Sequence, residues 1–447
     1  MQVKYDRQLR LWEESGQRAL KNAHICLINA NDTGTEILKN LILGGIGKFT
    51  IVDEAGRESG FFNDLEYSGN NRGESVLTKL CDLNPDAEGF IRTTLDIDFS
   101  EFNLVFFCGE LTQSLIQKCA EVYSMNIPCL HAEDLGFVGS VSLSVPSHLV
   151  IDRHPDNLLY DLRISDPFNL ELLDIDFQSM SNEQHSHIPW LIILVKACDI
   201  WKEGKETFLT RQDKDRFKQM IREMMRRPDE ENFLEAIANA YRVFTPFKLP
   251  ETVLNVLEKN QQNPSLKAIS VFLKMTNHLP LSGKIPDMFS DTESFNRLRK
   301  IYANKAEMDA KMVFEIAKGH DPSVTYENVR TYCRNILQTC FVEMEPLNAI
   351  HRHDSVVQSA RDGDSVAIMG LLLSTKSSEH ASKLIEKDLT LFSTEFSRYS
   401  TSLHSVSCII GAFAAQEGIK LLTSQYVPIK SLLIFNGLGN PSTTVYL

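Results

Sequence analysis

HICLINANDTGTEILKNLILGGIGKFTIVD, residues 24–53, contains two apolar runs with a helical pattern between them. Residues 24–29 predict a buried strand, residues 33–43 place Ile and Leu at helical spacing, and residues 48–52 predict a second strand. A glycine cluster ends the helix, and Asp53 stands at the carboxyl end of the second strand. A strand, a helix and a strand in this order predict a βαβ unit with parallel strands.

The same alternation continues to about residue 150. Further strands are predicted at 89–94, 103–108 and 127–131, and helices at 74–83 and 111–124. These elements together predict an α/β domain built on a mostly parallel, doubly wound sheet.

Helical periodicity replaces the strand pattern in the middle of the chain. Helices are predicted at 189–202, 214–226, 230–244, 265–278 and 292–318. A helix rich in small residues follows at 405–422, and strands are predicted at 430–435 and 442–447. The chain is therefore expected to return to the first sheet, with an α/β domain over 1–164, a helical insertion over 165–399 and the return over 400–447.

The first strand-helix turn lacks the glycines of a nucleotide site. A sheet of this kind normally carries GxGxxG there, because glycines let the backbone approach a phosphate at the helix N-terminus. The six residues here are NANDTG, 29–34, which keep only Gly34 and place Asn29 and Asn31 at the other two positions. Asp32 adds a negative charge, although Asp53 keeps the position of a ribose-binding acid. The sequence thus predicts a Rossmann-like fold that has lost its nucleotide-binding site.

Composition excludes several classes of protein. The chain has 447 residues, 43% of them hydrophobic, which can bury a core and rules out global disorder. A net charge of −13 disfavours binding to nucleic acid or to an anionic membrane. The N-terminus has no apolar signal region, and the apolar run 188–201 is short and contains charges, which predicts a buried helix.

Cysteine and histidine patterns offer little chemistry. Nine scattered cysteines without a CxxC pair fit a reducing compartment, and most lie in apolar strands or helices, so no catalytic cysteine is expected. HSH at 185–187 and HRH at 351–353 invite a metal interpretation, but neither has a third ligand at a usual spacing, and no metal is expected. YDRQLRLW at 5–12 is either an amphipathic helix that covers the sheet or an arm that reaches a neighbouring subunit.

The quoted stretches resemble a known family. YDRQLRLW and residues 26–53 are similar to the inactive adenylation half of the heterodimeric activating enzymes for ubiquitin-like modifiers. HSHIPW at 185–190, IPDMFSDTESFNRL at 285–298 and AAQEGIK at 414–420 resemble the regulatory subunits of the neddylation activating enzymes. The resemblance implies an inactive, doubly wound, Rossmann-like adenylation fold of the ThiF type with a large all-α insertion. Residues 320–400 match the family poorly and look shortened.

The resemblance also implies a partner. A homologous catalytic subunit would hold ATP and magnesium and carry the thioester-forming cysteine, and the ubiquitin-like modifier would be reached through the complex. This chain would bind no cofactor: only Glu110, one position displaced, could replace the catalytic Asp of active members, and GFFND at 60–64 lacks their phosphate clamp. Arg7, from the YDRQ motif, would reach across the dimer to the ATP phosphates of the partner subunit.

Two segments are expected to contact the partner. One is the N-terminal segment with Tyr5 and Trp12. The other is the docking segment, residues 285–298, in which Asp291 or Thr292 would cap the following helix. Its expected contact residues are Ile285, Pro286, Asp287, Met288, Phe289, Phe295 and Leu298. The alternative is an internal helix start packed on its own domain.

Three other functions remain open at this point. The corresponding subunit of the SUMO activating enzyme has similar N-terminal motifs but lacks the long helical insertion. A free-standing scaffold that kept only the fold is compatible with the sequence. An autonomous nucleotide-dependent oxidoreductase is disfavoured by the NANDTG turn. The expected location is the cytoplasm, with the nucleus as a further location.

Overall fold

The computed structural model describes residues 4–54, 72–165, 167–168, 176–202, 210–245, 247–348, 350–389, 401–430, 432–437 and 443–445. The chain divides into two compact units. The sheet unit comprises Met1–Arg153 with Phe341–Leu447, and the helical unit comprises His154–Cys340.

An eight-stranded mixed sheet organises the sheet unit. Its strands are β1 His24–Ile28, β2 Lys48–Val52, β3 Glu88–Arg92, β4 Leu104–Cys108, β5 Cys129–Leu135, β6 Val138–Ser144, β9 Leu432–Asn436 and β10 Thr443–Val445. Their order is β10-β9-β6-β5-β4-β1-β2-β3. The five strands β5, β4, β1, β2 and β3 pair in parallel in this order. The strands β6, β9 and β10 extend the sheet beyond β5 in antiparallel pairs. The doubly wound sheet expected from the sequence is confirmed.

Helices cover the sheet on both faces. In the described part of this unit, the helices are α1 Asp6–Asn22, α2 Asp32–Gly44, α3 Arg72–Leu83, α4 Gln113–Ser124, α14 Asp354–Arg361, α15 Ser365–Thr375, α16 Ser378–Ile385 and α17 His404–Thr423. The strands β1 and β4 are buried almost throughout, which explains why they are continuous apolar runs without alternation. Helix α17 is long and apolar enough to cross a membrane by composition, but 61% of that stretch is buried within the fold.

The helical unit is built from short helices and one long one. They are α5 Asn182–His185, α6 Trp190–Lys202, α7 Arg211–Glu223, α8 Glu231–Asn239, α9 Tyr241–Phe244, α10 Glu251–Lys259, α11 Pro264–Thr276, α12 Thr292–His320 and α13 Tyr326–Asn335. A two-stranded pair, β7 His148–Val150 and β8 Cys340–Val342, completes the described elements. The apolar run 188–201 forms the buried helix α6 that its charges predicted.

The return to the sheet unit begins earlier than the sequence suggested. We expected the helical insertion to extend to residue 399, but the division falls after Cys340. The reason is that α15 packs on β6 and β9, where a Cβ at Gly370 would lie 2.5 Å from Ile434 Cδ1. Three helices that look like part of a helical domain therefore belong to the core of the sheet unit. The antiparallel strand β6 was also missed.

Candidate functional site

The strand order reverses between β1 and β4, where open α/β sheets bind their ligands at the carboxyl ends of the strands. Asn29 follows β1, Asp53 follows β2 and Gly109 follows β4, so the structure brings the predicted residues together. Asn29 has a left-handed backbone with φ of 72°, and its side-chain amide donates to the carbonyl of Cys108 at 2.8 Å. The place of the first phosphate glycine is therefore used to join two strand ends.

A buried ion pair occupies the position expected to bind ribose. Both carboxylate oxygens of Asp53 accept bonds from the guanidinium of Arg72, at 2.9 Å from Nε and 3.0 Å from Nη2. The side chains are 1% and 10% exposed. Arg72 also donates to the side-chain oxygen of Asn29, and Asp53 accepts from the backbone amide of Ala30 at 3.3 Å. The acid that would hold a ribose hydroxyl is thus already bound by the chain itself.

The N-terminus of α2 is also occupied. The side-chain oxygen of Asn31 accepts a bond from the amide of Gly34 at 2.8 Å and caps the helix. An N-cap satisfies the amide groups that a phosphate would otherwise use. The neighbouring space is narrow, since a Cβ at Gly109 would lie 2.9 Å from Nδ2 of Asn29 and 3.3 Å from Nδ2 of Asn31. Asn31 therefore replaces the anion rather than binding it.

The catalytic acid and the clamp of active members have no counterpart in this crevice among the residues that the structure describes. Glu110 is exposed beyond β4, where its backbone carbonyl accepts from Thr112. Residues 60–64 lie outside the described part of the chain. Sequence reasoning missed Arg72, although its place at the start of α3 puts it at the same sheet edge as Asp53.

Arg7 lies at the start of α1 and is exposed. It forms no ion pair or hydrogen bond with any residue in the described ranges, whereas Arg10, one turn later, pairs with Asp6 at 2.9 Å. A guanidinium that is always charged and unpaired is available to an external anion. Position and exposure are thus compatible with the role that the resemblance implies.

Tyr5 and Trp12 are buried within the sheet unit, whereas we expected them to contact the partner. Tyr5 is 9% exposed, and its hydroxyl accepts a bond from Asn84 at 3.3 Å. Trp12 is 7% exposed and donates to Gln17 at 3.1 Å within the core of the sheet unit. Aromatic side chains of this size contribute a large apolar area to the core in which they are buried. Their role is to fix α1, and with it Arg7, on the sheet unit.

The docking segment divides into a buried part and an exposed part. Leu298 is 1% exposed in the core of the helical unit, and Ile285 and Met288 pack against the same core. Leu298 therefore packs as the internal alternative predicts, whereas Ile285 and Met288 lie in the irregular segment before α12 and are only partly buried against this core. Pro286 and Phe295 are partly exposed.

Phe289 and Asp287 form the exposed part of the docking segment. The Phe289 ring is 42% exposed and stacks on His187 with centroids 5.6 Å apart. Its backbone amide donates to the Glu235 carboxylate at 2.9 Å, which fixes the backbone at this position. Asp291 caps α12 by accepting from Ser294 at 2.8 Å, as the sequence predicted. A fixed, half-exposed aromatic ring remains available to a partner.

Among the residues that the structure describes, neither His185 nor His187 belongs to a group of three or more side chains that could hold a metal ion. His185 bonds through Nδ1 to Glu230 at 2.8 Å and stacks on Phe233, which makes HSHIPW a structural motif of the helical unit. Nδ1 of His187 forms a hydrogen bond with the backbone carbonyl of Glu183 at 2.8 Å. Burial lowers the pKa of His353.

The cysteines show no sign of activation as nucleophiles. Burial raises the pKa of Cys198 to about 12 and raises the pKa of the thiols of Cys26, Cys108 and Cys333 as well. A raised pKa keeps the thiol protonated, and the thiolate is the nucleophilic form. Burial therefore disfavours the nucleophilic thiolate at these four cysteines.

Comparisons with known proteins agree with this geometry. The ThiF family model matches residues 5–445. The chain is 34% identical to a protein of Xenopus laevis named NEDD8-activating enzyme E1 regulatory subunit, over 99% of this chain and 98% of that one. It is 31% identical to the protein of the same name from Danio rerio, again over 99% and 98%. The solved structure of Escherichia coli MccB with ATP has a TM-score of 0.29 at 17% identity, covering 33% of this chain and 50% of that chain.

The chain thus belongs to the ThiF family, as a member whose own nucleotide crevice is filled by its side chains. Within the family it groups with the NEDD8-activating enzyme E1 regulatory subunits, which it matches over its full length. The alignment to the Xenopus protein spans 526 positions against 447 residues here, so this chain lacks segments that its relative has.

Proposed function

We propose that this chain is the non-catalytic, regulatory subunit of a heterodimeric enzyme that activates NEDD8, and that the chemistry takes place on a homologous catalytic subunit. The full-length kinship with regulatory subunits supports the assignment over the SUMO alternative. In this proposal the partner binds ATP and magnesium, adenylates the modifier and accepts it on a cysteine.

The observation that carries the proposal is the pair formed by Asp53 and Arg72. ATP bound in this crevice would need the Asp53 carboxylate for its ribose and the start of α2 for its phosphates. The first is held by a two-bond guanidinium contact, and the second is capped by Asn31. Binding ATP would break a desolvated ion pair, which costs about 3–5 kcal/mol when one partner is left uncompensated. We infer that adenylation is confined to the partner.

Arg7 is the one group of this chain that we assign to the reaction. It would bind the ATP phosphates in trans from α1, a helix anchored by the buried Tyr5 and Trp12. A guanidinium offers two parallel donors to phosphate oxygens, and such charge-assisted bonds are worth about 1.5–3 kcal/mol each. An anchored helix loses little freedom when it positions this side chain, so most of that free energy is available to stabilise the adenylation step.

The helical unit would supply a second contact with the catalytic subunit through Phe289. Its ring stacks on His187 and its backbone amide donates to Glu235, so the residue is positioned before a partner binds. A partly exposed aromatic ring that is fixed before binding is typical of an interface anchor. Ile285 and Met288 of the docking segment pack against the core of the helical unit.

The proposal is tested by native mass and by ATP–pyrophosphate exchange. The chain purified from its own cells should appear as a one-to-one complex with a homologue, and the recombinant chain alone should show no exchange. A free monomer in cells, or exchange by the chain alone, would contradict the proposal. The catalytic subunit alone and the reconstituted pair serve as controls that establish what each chain contributes.

A further inference from the structure

Three potential metal ligands meet between α2 and α17 in the sheet unit. They are Glu36 on α2 and His404 and Cys408, one turn apart, on α17. The helices approach closely because Gly411 has no side chain: a Cβ there would lie 2.6 Å from Cβ of Glu36 and 3.1 Å from the carbonyl of Thr33. Glu36 is far in the sequence from His404 and Cys408, so the spacing of these two residues alone could not have shown the group.

We propose that Glu36, His404 and Cys408 form a site for one divalent cation of the zinc class. Carboxylate, imidazole and thiolate are the ligands that Zn²⁺ uses in proteins, and three protein ligands leave a fourth position for water. Among the residues that the structure describes, no other group of three or more such side chains has its ligand atoms this close together.

The distances fit a tetrahedral ion closely. Nε2 of His404 lies 3.3 Å from Sγ of Cys408 and 3.9 Å from Oε1 of Glu36, and all three ligand atoms lie within 4.8 Å of one another. Zinc bonds of roughly 2.0–2.3 Å at tetrahedral angles place ligand atoms about 3.3–3.6 Å apart. Small rotations of the side chains would close the difference without moving either helix.

The carboxylate of Glu36 favours binding of a cation at its Oε1 oxygen. The side chain is 2% exposed, and Oε1 is buried and accepts no hydrogen bond from the described residues. A buried carboxylate oxygen without a partner is costly, and a metal bond would remove that cost. Lys39 pairs with the other oxygen, Oε2, and its side chain is 28% exposed, so it can remain there or turn to solvent when the metal binds.

The accessibility of the other two ligands gives the ion a way in. The His404 side chain is 33% exposed and Cys408 is partly exposed, whereas the carboxylate lies behind them. A bound ion would tie the returning helix α17 to the first crossover helix α2. The expected role is therefore structural: the metal would stabilise the sheet unit.

The test is a titration of the full-length, metal-free chain with Zn²⁺ and with Co²⁺ as a spectroscopic probe. We expect one equivalent to bind, with a cobalt–thiolate charge-transfer band and the visible absorption of tetrahedral cobalt. At a free Zn²⁺ concentration of about a hundred times Kd, the unfolding temperature should rise by about 5 °C.

Variants distinguish this site from adventitious binding. Cys408→Ser should abolish the cobalt–thiolate band and weaken Zn²⁺ binding by tenfold or more. His404→Ala should weaken it likewise, and it should fold because that side chain is one-third exposed. Cys81→Ser, at another partly exposed cysteine, is the matched control and should change nothing. Absence of one-equivalent binding, or binding that both site variants leave unchanged, would overturn the proposal.

Discussion

Removing Arg72 should destabilise the sheet unit more than any change at a surface ion pair. The substitution Arg72→Ala leaves the Asp53 carboxylate, whose side chain is 1% exposed, without the two bonds at 2.9 and 3.0 Å that now balance its charge. Breaking a buried pair in this way costs about 3–5 kcal/mol, because desolvation is no longer offset by the partner. At roughly 2–4 °C per kcal/mol, the unfolding temperature should fall by about 10 °C.

The assay is denaturant unfolding of the wild type, Arg72→Ala and Lys48→Ala. Lys48 is the matched control, because it pairs with Glu88 at 3.2 Å but both side chains are more than half exposed, and such pairs contribute about 0–1 kcal/mol. The apolar double variant Arg72→Met with Asp53→Leu should recover most of the loss, because it leaves no unpaired charge. A loss below about 1 kcal/mol for Arg72→Ala would refute the view that this pair fills the crevice.

Three further outcomes are expected. Phe289→Ala should weaken association with the catalytic subunit by about tenfold or more without lowering the chain's own stability. Met275→Ala is the control, because Met275 is 66% exposed in the same unit, and it should leave association unchanged. Unchanged binding for both variants would reject Phe289 as an interface anchor. Asn31→Ala should cost about 1 kcal/mol through loss of the helix cap and still give no ATP-dependent rise in unfolding temperature; such a rise would mean that Asn31 alone excludes the phosphates. Burial lowers the pKa of His148 to about 4, so as the pH falls the unfolded chain binds a proton at this residue before the folded chain does. The free energy of unfolding should therefore fall by roughly 2–3 kcal/mol between pH 6.5 and pH 4. His148→Gln should flatten this decline.

Local patterns predicted the fold well where one element decides its own structure. The apolar runs at β1 and β2 and the helical spacing of α2 are strong local signals, and their bounds differ from the prediction by one residue at most. The break between α8 and α9, and the packing of α15 against β6 and β9, depend on distant residues. Periodicity measures only which residues share a face, so it could not show what α15 packs against.

The sequence predicted only those features of the candidate site that depend on a single local element. The missing glycines at 29 and 31 indicated a lost nucleotide site, because the need for space at a phosphate is local to one turn. What fills the site is not local: Arg72 meets Asp53 across two elements, 19 positions apart in the sequence. Tyr5 and Trp12 are of residue types that occur both in interfaces and in cores. Only the packing of α1 shows that these two side chains belong to the core.

Arg7 is the residue of this chain that we assign to adenylation on the partner subunit. Its direct test is ATP–pyrophosphate exchange by the reconstituted heterodimer carrying Arg7→Ala, with Arg10→Ala as the matched control one helical turn away. Loss of charge-assisted phosphate bonds should slow exchange roughly ten- to a hundredfold while the heterodimer stays intact, Arg7→Lys should recover part, and Arg10→Ala should match the wild type. Equal exchange rates for Arg7→Ala and the wild type would contradict the assignment.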